Sequence, residues 1–282
     1  MLGDFQMFKK YFLGLVWGAL FAVGVDAAEV VKKQPLILAV SEGTSGGINA
    51  EAAHAKYQPL ADVLGSAISA EVKVVFVREF ARLANGMKEN QFDLVLARPS
   101  DYPARGMRDH QYRFVASASP DGQCVLIVHK DSPFMKVENL KGRNFIFPEE
   151  SAYMTRFCRA ELRDKGILIE HEKVHYVREQ GAIPFAIENK ISDVGGVASY
   201  SGAYKQWLKS GHRVLHKSAA QPYMPLVASR NLSVEQVDKL RGALTELGNS
   251  DTGKQILQRV GINGFVITEE MRLRKLLEWL GV

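Results

Sequence analysis

Two short turns gather hydroxyl groups at places where an α/β chain builds binding sites. Ser41-Glu42-Gly43-Thr44-Ser45 follows the apolar run Leu36 to Val40. Glu150-Ser151-Ala152-Tyr153-Met154-Thr155 follows Phe145 to Phe147 in the same way. Each turn precedes a segment of helical pattern. Ligands of open α/β sheets bind at the carboxyl ends of strands, where the next helix aims free N–H groups and the positive end of its dipole. Two such turns on separate sheets make facing halves of a cleft, which points to capture of a small anion rather than to bond-breaking chemistry. A third turn, Arg98-Pro99-Ser100-Asp101, ends the buried run Phe92 to Ala97. Its guanidinium suits an oxyanion through a bidentate fork. Thr44 and Ser151 serve equally well as helix caps, and one hydroxyl can do both jobs.

His171-Glu172-Lys173-Val174-His175 matches the zinc-hydrolase pattern H-E-x-x-H. That chemistry requires a helix, because only a 3.6-residue period brings both histidines to one metal. Gly166 ends the preceding helical pattern, and Ile167, Ile169, Val174 and Tyr176 read as extended chain. Four residues along a strand separate side chains by roughly 13 Å, too far for one ion. The chain carries neither a G-x-S-x-G elbow nor a phosphate-binding P-loop, and Gly43, Gly46 and Gly47 do not form G-x-G-x-x-G. Ser41 and Ser45 have no base indicated nearby. The expectation is a binding protein with no catalytic residues, metal or cofactor. An exported metallo-hydrolase built on His171–His175 is the enzymatic alternative.

The elements that must position these turns alternate between apolar runs and amphipathic stretches, the signature of an α/β fold. Strands are expected at Leu36–Val40, Val72–Val77, Phe92–Ala97, Val125–His129, Phe145–Phe147, Val174–Val177 and Val194–Val197. Between the first two, a loop to about Ala53 leads into a helix carrying Tyr57, Leu60, Ala61 and Leu64, with Pro59 fitting its first turn. Phe80, Leu83, Ala84 and Met87 repeat at helical spacing. Val137 to Gly142 reads as a short helix. A longer one runs from Tyr153 to Asp164, capped by Ser151 and ended by Gly166. Another spans Ala182 to Asn189. After Arg213-Val214-Leu215, the segment Gln221-Pro222-Tyr223-Met224-Pro225 crosses into Leu226-Val227-Ala228. Ser233 and Gln236 form a capping box, and helical patterns around Ile256 and from Met271 to Leu280 close the chain.

With 282 residues, the chain is long enough for one large or two small domains. Its 36 Lys and Arg against 31 Asp and Glu are mixed throughout, giving a formal charge of +5 without a basic block. That balance argues against nucleic acid as a partner. Lys9 and Lys10, the apolar stretch Tyr11–Val25 and the small residues of Val25-Asp26-Ala27 read as a secretory signal over residues 1–27. The stretch, about 15 residues, is short of the roughly 20 that span a bilayer. Export permits a disulfide, but the only two cysteines, Cys124 and Cys158, lack diagnostic spacing and read as two separate buried thiols.

Breaks in the pattern near residues 120 and 217 divide the exported chain. Residues 28–120 form the first part of lobe 1, 121–217 form lobe 2, and 218–282 return to lobe 1. Two crossing segments make a hinge, which favours closure about a cleft.

Several runs, taken in order, carry a family likeness. They are Tyr57-Gln58-Pro59-Leu60 before Leu64-Gly65, Gly86-Met87 before Phe92-Asp93, Val125 through Pro133, and Asn139-Leu140-Lys141-Gly142. Later come Asn189 through Val194 and Arg230-Asn231-Leu232-Ser233. In this order the chain resembles the PhnD-like periplasmic phosphate/phosphite/phosphonate-binding proteins of ABC transporters, over nearly all of the exported part. The resemblance implies a two-lobe clamshell of the type 2 periplasmic-binding-protein fold, monomeric, with a small anionic ligand between the lobes. It also implies delivery to an ABC transporter permease; docking on a sensor-kinase (histidine-kinase) ectodomain is the alternative. Family members often carry Ser-Thr-Ser-Gly where this chain has Ser151-Ala152-Tyr153-Met154, and the position of the pocket histidine typical of phosphonate binders falls near Gln180 in this chain. The ligand stays open among phosphonate, phosphite, phosphate and other oxyanions. Thr44, Ser45 and Ser151 would hold the anionic group, with Arg98 adding charge. Tyr57, Tyr153 and Tyr200 would supply walls, and Ser100, Thr155, Gln180 and Ser199 complete the set.

Overall fold

The computed structural model describes residues 34–44 and 47–282. The proposed leader and Ser45 lie outside the described residues. Eleven strands among them form two sheets. The first sheet holds β1 (Leu36–Ser41), β2 (Val72–Phe76), β3 (Leu94–Ala97), β4 (Arg113–Gly122), β10 (Gln221–Ala228) and β11 (Gly264–Val266), in the order β11-β4-β10-β3-β1-β2. The second holds β5 (Cys124–Val128), β6 (Asn144–Pro148), β7 (Lys173–Val177), β8 (Val194–Ala198) and β9 (Arg213–Lys217), in the order β7-β6-β8-β5-β9. Parallel pairs β1–β2, β1–β3, β6–β7 and β6–β8 anchor the two sheets. Strands β1, β3 and β6 are near-continuous apolar runs because both faces of the sheet are covered there, whereas the edge strand β7 carries Lys173, His175 and Tyr176 and stays largely exposed.

The chain passes between the sheets twice, from β4 to β5 at Gln123 and from β9 to β10 through Ser218. The two passages are tied together. Gln123 Nε2 donates to Ser218 O at 2.7 Å, and the Cys124 N–H donates to Ser218 Oγ at 2.9 Å.

Helices α1 (Ala50–Ala67), α2 (Phe80–Lys88) and α3 (Asp101–Asp109) follow the first three strands. Helices α4 (Tyr153–Asp164), α5 (Ala182–Glu188) and α6 (Gly202–Trp207) accompany the second sheet. Helices α7 (Val234–Glu246), α8 (Asp251–Val260) and α9 (Glu270–Leu280) end the chain. The Ser233–Gln236 capping box forms as the sequence predicts. Helix α9 packs against both α3 and α4: the Trp279 ring meets Phe157 edge-on at 5.2 Å, and its Nε1 donates to Asp164 at 2.6 Å.

Four sequence expectations are corrected. Pro59 lies in the interior of α1, not in its first turn. A proline there leaves the carbonyl four residues earlier without its helical donor, and Arg259 Nη1 donates to that Ala55 oxygen at 3.2 Å. Thr44 does not cap α1; Asn49 does, its side chain accepting the Ala52 N–H. Ser151 does not cap α4, which starts after Ala152 without a side-chain cap. Cys124 and Cys158 are joined in a disulfide between the start of β5 and the middle of α4. Both sulfurs are fully buried, and a strand and helix packed face to face bring their Cα atoms to 5.3 Å, within bonding range.

The H-E-x-x-H segment is divided, as its pattern implied. His171 ends a 3-10 turn and His175 stands in β7. Glu172 is engaged by the Gly142 N–H at 2.7 Å. Among the described residues no group of three or more metal-ligating side chains assembles.

Candidate functional site

The carboxyl ends of β1 and β3 are held side by side, the Arg98 N–H donating to Ser41 O at 2.9 Å. The turns that follow therefore share one wall. Gly43 bends that wall in the left-handed region, with φ +56°, which favours glycine. Opposite stand the N-terminus of α4, the start of α5 and the end of β8. Between them lies a narrow cavity lined by Glu42, Gly43, Thr44, Phe80, Arg98 and Pro99 from one side, and by Tyr153, Met154, Gln180 and Tyr200 from the other. Its free volume is about 10 Å³, room for a single water-sized sphere. A roomier groove of about 710 Å³ runs along the open edge of β2. There Asp62, Glu71 and Lys73 mix charge signs without convergence on a point, so the narrow cavity is the better candidate.

The β1–β3 wall is charged and densely bonded. Glu42 is 3% exposed. Its Oε1 accepts from Lys56 Nζ at 2.6 Å and from the Tyr57 hydroxyl at 2.5 Å, both on α1. Its Oε2 lies 3.5 Å from Arg98 Nη1. Burial pushes the Glu42 carboxyl up, but Arg98, Lys56 and the two hydrogen bonds outweigh it and hold the pKa below its usual value. Arg98 itself is 8% exposed and sits over the Tyr200 ring, 5.8 Å from its centroid. Tyr200 stacks on Tyr223 of β10 at 4.1 Å. A Cβ at Gly122 would come within 2.9 Å of the Tyr200 ring, so the stack needs glycine there. The Tyr223 phenol is pushed up to about 12 chiefly by burial, leaving it neutral.

The facing wall is neutral. Gln180 spans the cleft: its N–H donates to Thr44 O and its Nε2 to Thr44 Oγ1, each at 3.3 Å, while its Oε1 accepts the Ala198 N–H at 2.7 Å. Beside the cavity Arg156 of α4 pairs with Asp101 at the start of α3. Asp101 is fully buried, and desolvation raises its pKa against the opposing pull of Arg156 and Arg105.

Thr44, Arg98, Tyr153, Gln180 and Tyr200 are thus brought together on one cavity. Tyr57 stands one layer back, holding Glu42. Ser100 donates to Pro222 O at 2.9 Å and also hydrogen-bonds the Tyr153 side chain, while Thr155 donates to Pro148 O at 3.0 Å and so serves the backbone. Ser199 accepts the Gln123 N–H at 3.1 Å, at the passage between sheets. Ser151 is exposed and outside the cavity lining. Sequence reasoning missed Glu42, Phe80, Met154 and Tyr223. Glu42 lay inside the first turn, but nothing local to it indicated its partners on α1. Tyr223 lay in the crossing segment, where nothing indicated a side-chain role.

Among solved structures, the fold is similar to XAC2383 of Xanthomonas citri, solved bound to ATP, at TM-score 0.71 and 14% identity, covering 87% of this chain and 96% of that one. It is also similar to PhnD1 of Prochlorococcus marinus in complex with methylphosphonate, at TM-score 0.70 and 16% identity, covering 87% and 97%. A binding protein component of an ABC phosphonate transporter from Pseudomonas aeruginosa matches at TM-score 0.65 and 19% identity, covering 87% and 85%. These likenesses establish the type 2 periplasmic-binding-protein architecture. The family described as ABC transporter, phosphonate, periplasmic substrate-binding protein matches residues 48–273. Over that span, which contains every strand but β1 and all of the cavity lining but Glu42, Gly43 and Thr44, the chain belongs to the phosphonate ABC-transporter periplasmic substrate-binding family.

Proposed function

We propose that this protein captures a small oxyanion of the phosphonate, phosphite or phosphate type between two lobes and presents the closed form to an ABC permease. The observation that carries this reading is Arg98, a buried guanidinium on the wall of a cavity lined from both sheets. A buried cation at a strand's carboxyl end is a strong oxyanion ligand, because low local dielectric strengthens each charge-assisted hydrogen bond. Thr44 and Gln180 would complete the first contacts, with Tyr153 and Tyr200 as walls. The lobes would be residues 28–120 with 218–282, and 121–217, swinging about the passages at Gln123 and Ser218. Ligand would favour the closed form by its differential affinity for that state. The protein would act as an exported monomer after removal of residues 1–27. Among the described residues no helix is long and apolar enough to cross a membrane.

The test is thermal unfolding with phosphate, phosphite, methylphosphonate and small carboxylates, on wild type and on Arg98→Ala. At least one phosphorus oxyanion should raise the wild-type melting temperature, and Arg98→Ala should abolish that rise while remaining folded. If no oxyanion stabilises the wild type, the reading fails.

A further inference from the structure

The wall that should welcome an anion also carries a buried anion. Glu42 lines the same cavity as Arg98, and its Oε2 stands 3.5 Å from the guanidinium. A ligand oxygen seated on Arg98 in so narrow a space must lie close to that carboxylate. Two bare anionic oxygens at that separation repel, and the low dielectric sharpens the repulsion. A hydrogen on the ligand oxygen turns the repulsion into a short O–H···O⁻ hydrogen bond.

From this geometry we infer that Glu42 makes the site selective for oxyanions that still carry an acidic hydrogen, such as a singly charged phosphonate, over proton-free oxyanions such as sulfonates. This inference rests on the oxyanion reading above and adds the protonation state of the ligand to it.

The surroundings keep Glu42 in the form the inference needs. It is faced by Lys56 and Tyr57 from α1, by Arg98 from the turn after β3 and by Tyr223 from β10, while Lys205 of α6 acts on Lys56. The positive groups outweigh burial, so the carboxyl is ionised at neutral pH. The change of charge with pH therefore falls on the ligand: a phosphoryl group loses its second proton near about pH 6 to 7. A second, independent observation points to a ligand at this spot. The Tyr223 hydroxyl is 2% exposed, interacts electrostatically with Arg98 and Glu42, and has no hydrogen-bond partner among the described residues. A neutral buried donor of this kind would serve another ligand oxygen.

Calorimetric titration of ligand-stripped protein with methylphosphonate and methanesulfonate, from about pH 5.5 to about pH 8.5, tests this. The two probes share a tetrahedral head and a methyl group, but only the first carries a proton, and only below its second ionisation. Methylphosphonate should bind at least about tenfold more tightly, and its affinity should fall by up to about tenfold for each pH unit above its second ionisation. Glu42→Gln should flatten that slope and admit methanesulfonate. Tyr223→Phe should weaken methylphosphonate several-fold and leave the slope unchanged. The wild-type comparison needs no variant, so a poorly folded Glu42→Gln does not blunt it. Equal affinity for both probes, or pH-independent methylphosphonate binding, overturns the inference and leaves oxyanion capture standing. Failure of both probes at every pH overturns the inference, and if phosphate and phosphite also fail to stabilise the protein, oxyanion capture falls with it.

Discussion

The two walls of the cavity are built from opposite materials. The wall of the first sheet concentrates Glu42, Arg98, Lys56 and Tyr57 in one bonded cluster, its cation and carboxylate both nearly fully buried. The wall of the second sheet offers aromatic rings, a methionine and the amide of Gln180. On the proposed reading, the charged wall would meet a ligand's charge before the neutral one arrives, since its cluster is complete within one half of the molecule. The neutral wall would then add shape, exclude water and supply the contacts that register closure. Arg156 and Glu179 depart from the pattern: they reach out of the second half to pair with Asp101 and Arg78 in the first, the latter pair at 2.9 Å.

Three variants press on this contrast. The largest effect is expected from replacing both Cys124 and Cys158 by Ala. Their disulfide closes a span of 34 residues, and chain entropy alone values such a closure at about 3–4 kcal/mol. Calorimetry should show a lower melting temperature. Hydrogen exchange should show the loss concentrated in α4 and β5, with β1 and β3 still protected. Uniform loss across both sheets would mean that the walls are not separately supported.

Arg156→Met comes next. Removing one partner of a buried pair typically costs about 3–5 kcal/mol. Asp101 keeps Arg105 at 3.6 Å, and burial already favours its protonated form, so about 2–3 kcal/mol is expected. Solution scattering should show a more open ligand-free protein. An unchanged profile would show that the pair stabilises each half without joining them.

Gln180→Ala should have the smallest effect, about 1 kcal/mol for neutral hydrogen bonds. Titration with methylphosphonate should place the loss mainly in dissociation rate, since the charged wall is untouched. A slower association instead would show that Gln180 belongs to the first encounter.

Much of the framework was legible because burial imposes periodicity. Phe80, Leu83, Ala84 and Met87 announce α2, and the run Phe92 to Ala97 contains all of β3. Helix α3 was not legible: Pro103 and Gly106 are poor helix formers, and the helix exists because tertiary packing overrides propensity. Strand β4 was hidden by its small and polar residues, Ala116 to Ser119. The site was half legible. Residues at strand ends could be placed by topology, as Thr44 and Arg98 were. Glu42 could not, because its role depends on Lys56 and Tyr57 arriving from a helix a turn and a loop away. The disulfide was hidden for the same reason, since it depends on which face of α4 meets β5.

The threading of the sheets sets a timetable for the chain as it emerges. All five strands of the second sheet lie within residues 124–217, one uninterrupted stretch. The first sheet needs β10 between β3 and β4, so its centre stays open until residue 228 has appeared. Domains fold as units while synthesis or translocation proceeds from the N-terminus. The half that begins second is therefore the half that can finish first, while the wall built on β1 and β3 waits for β10.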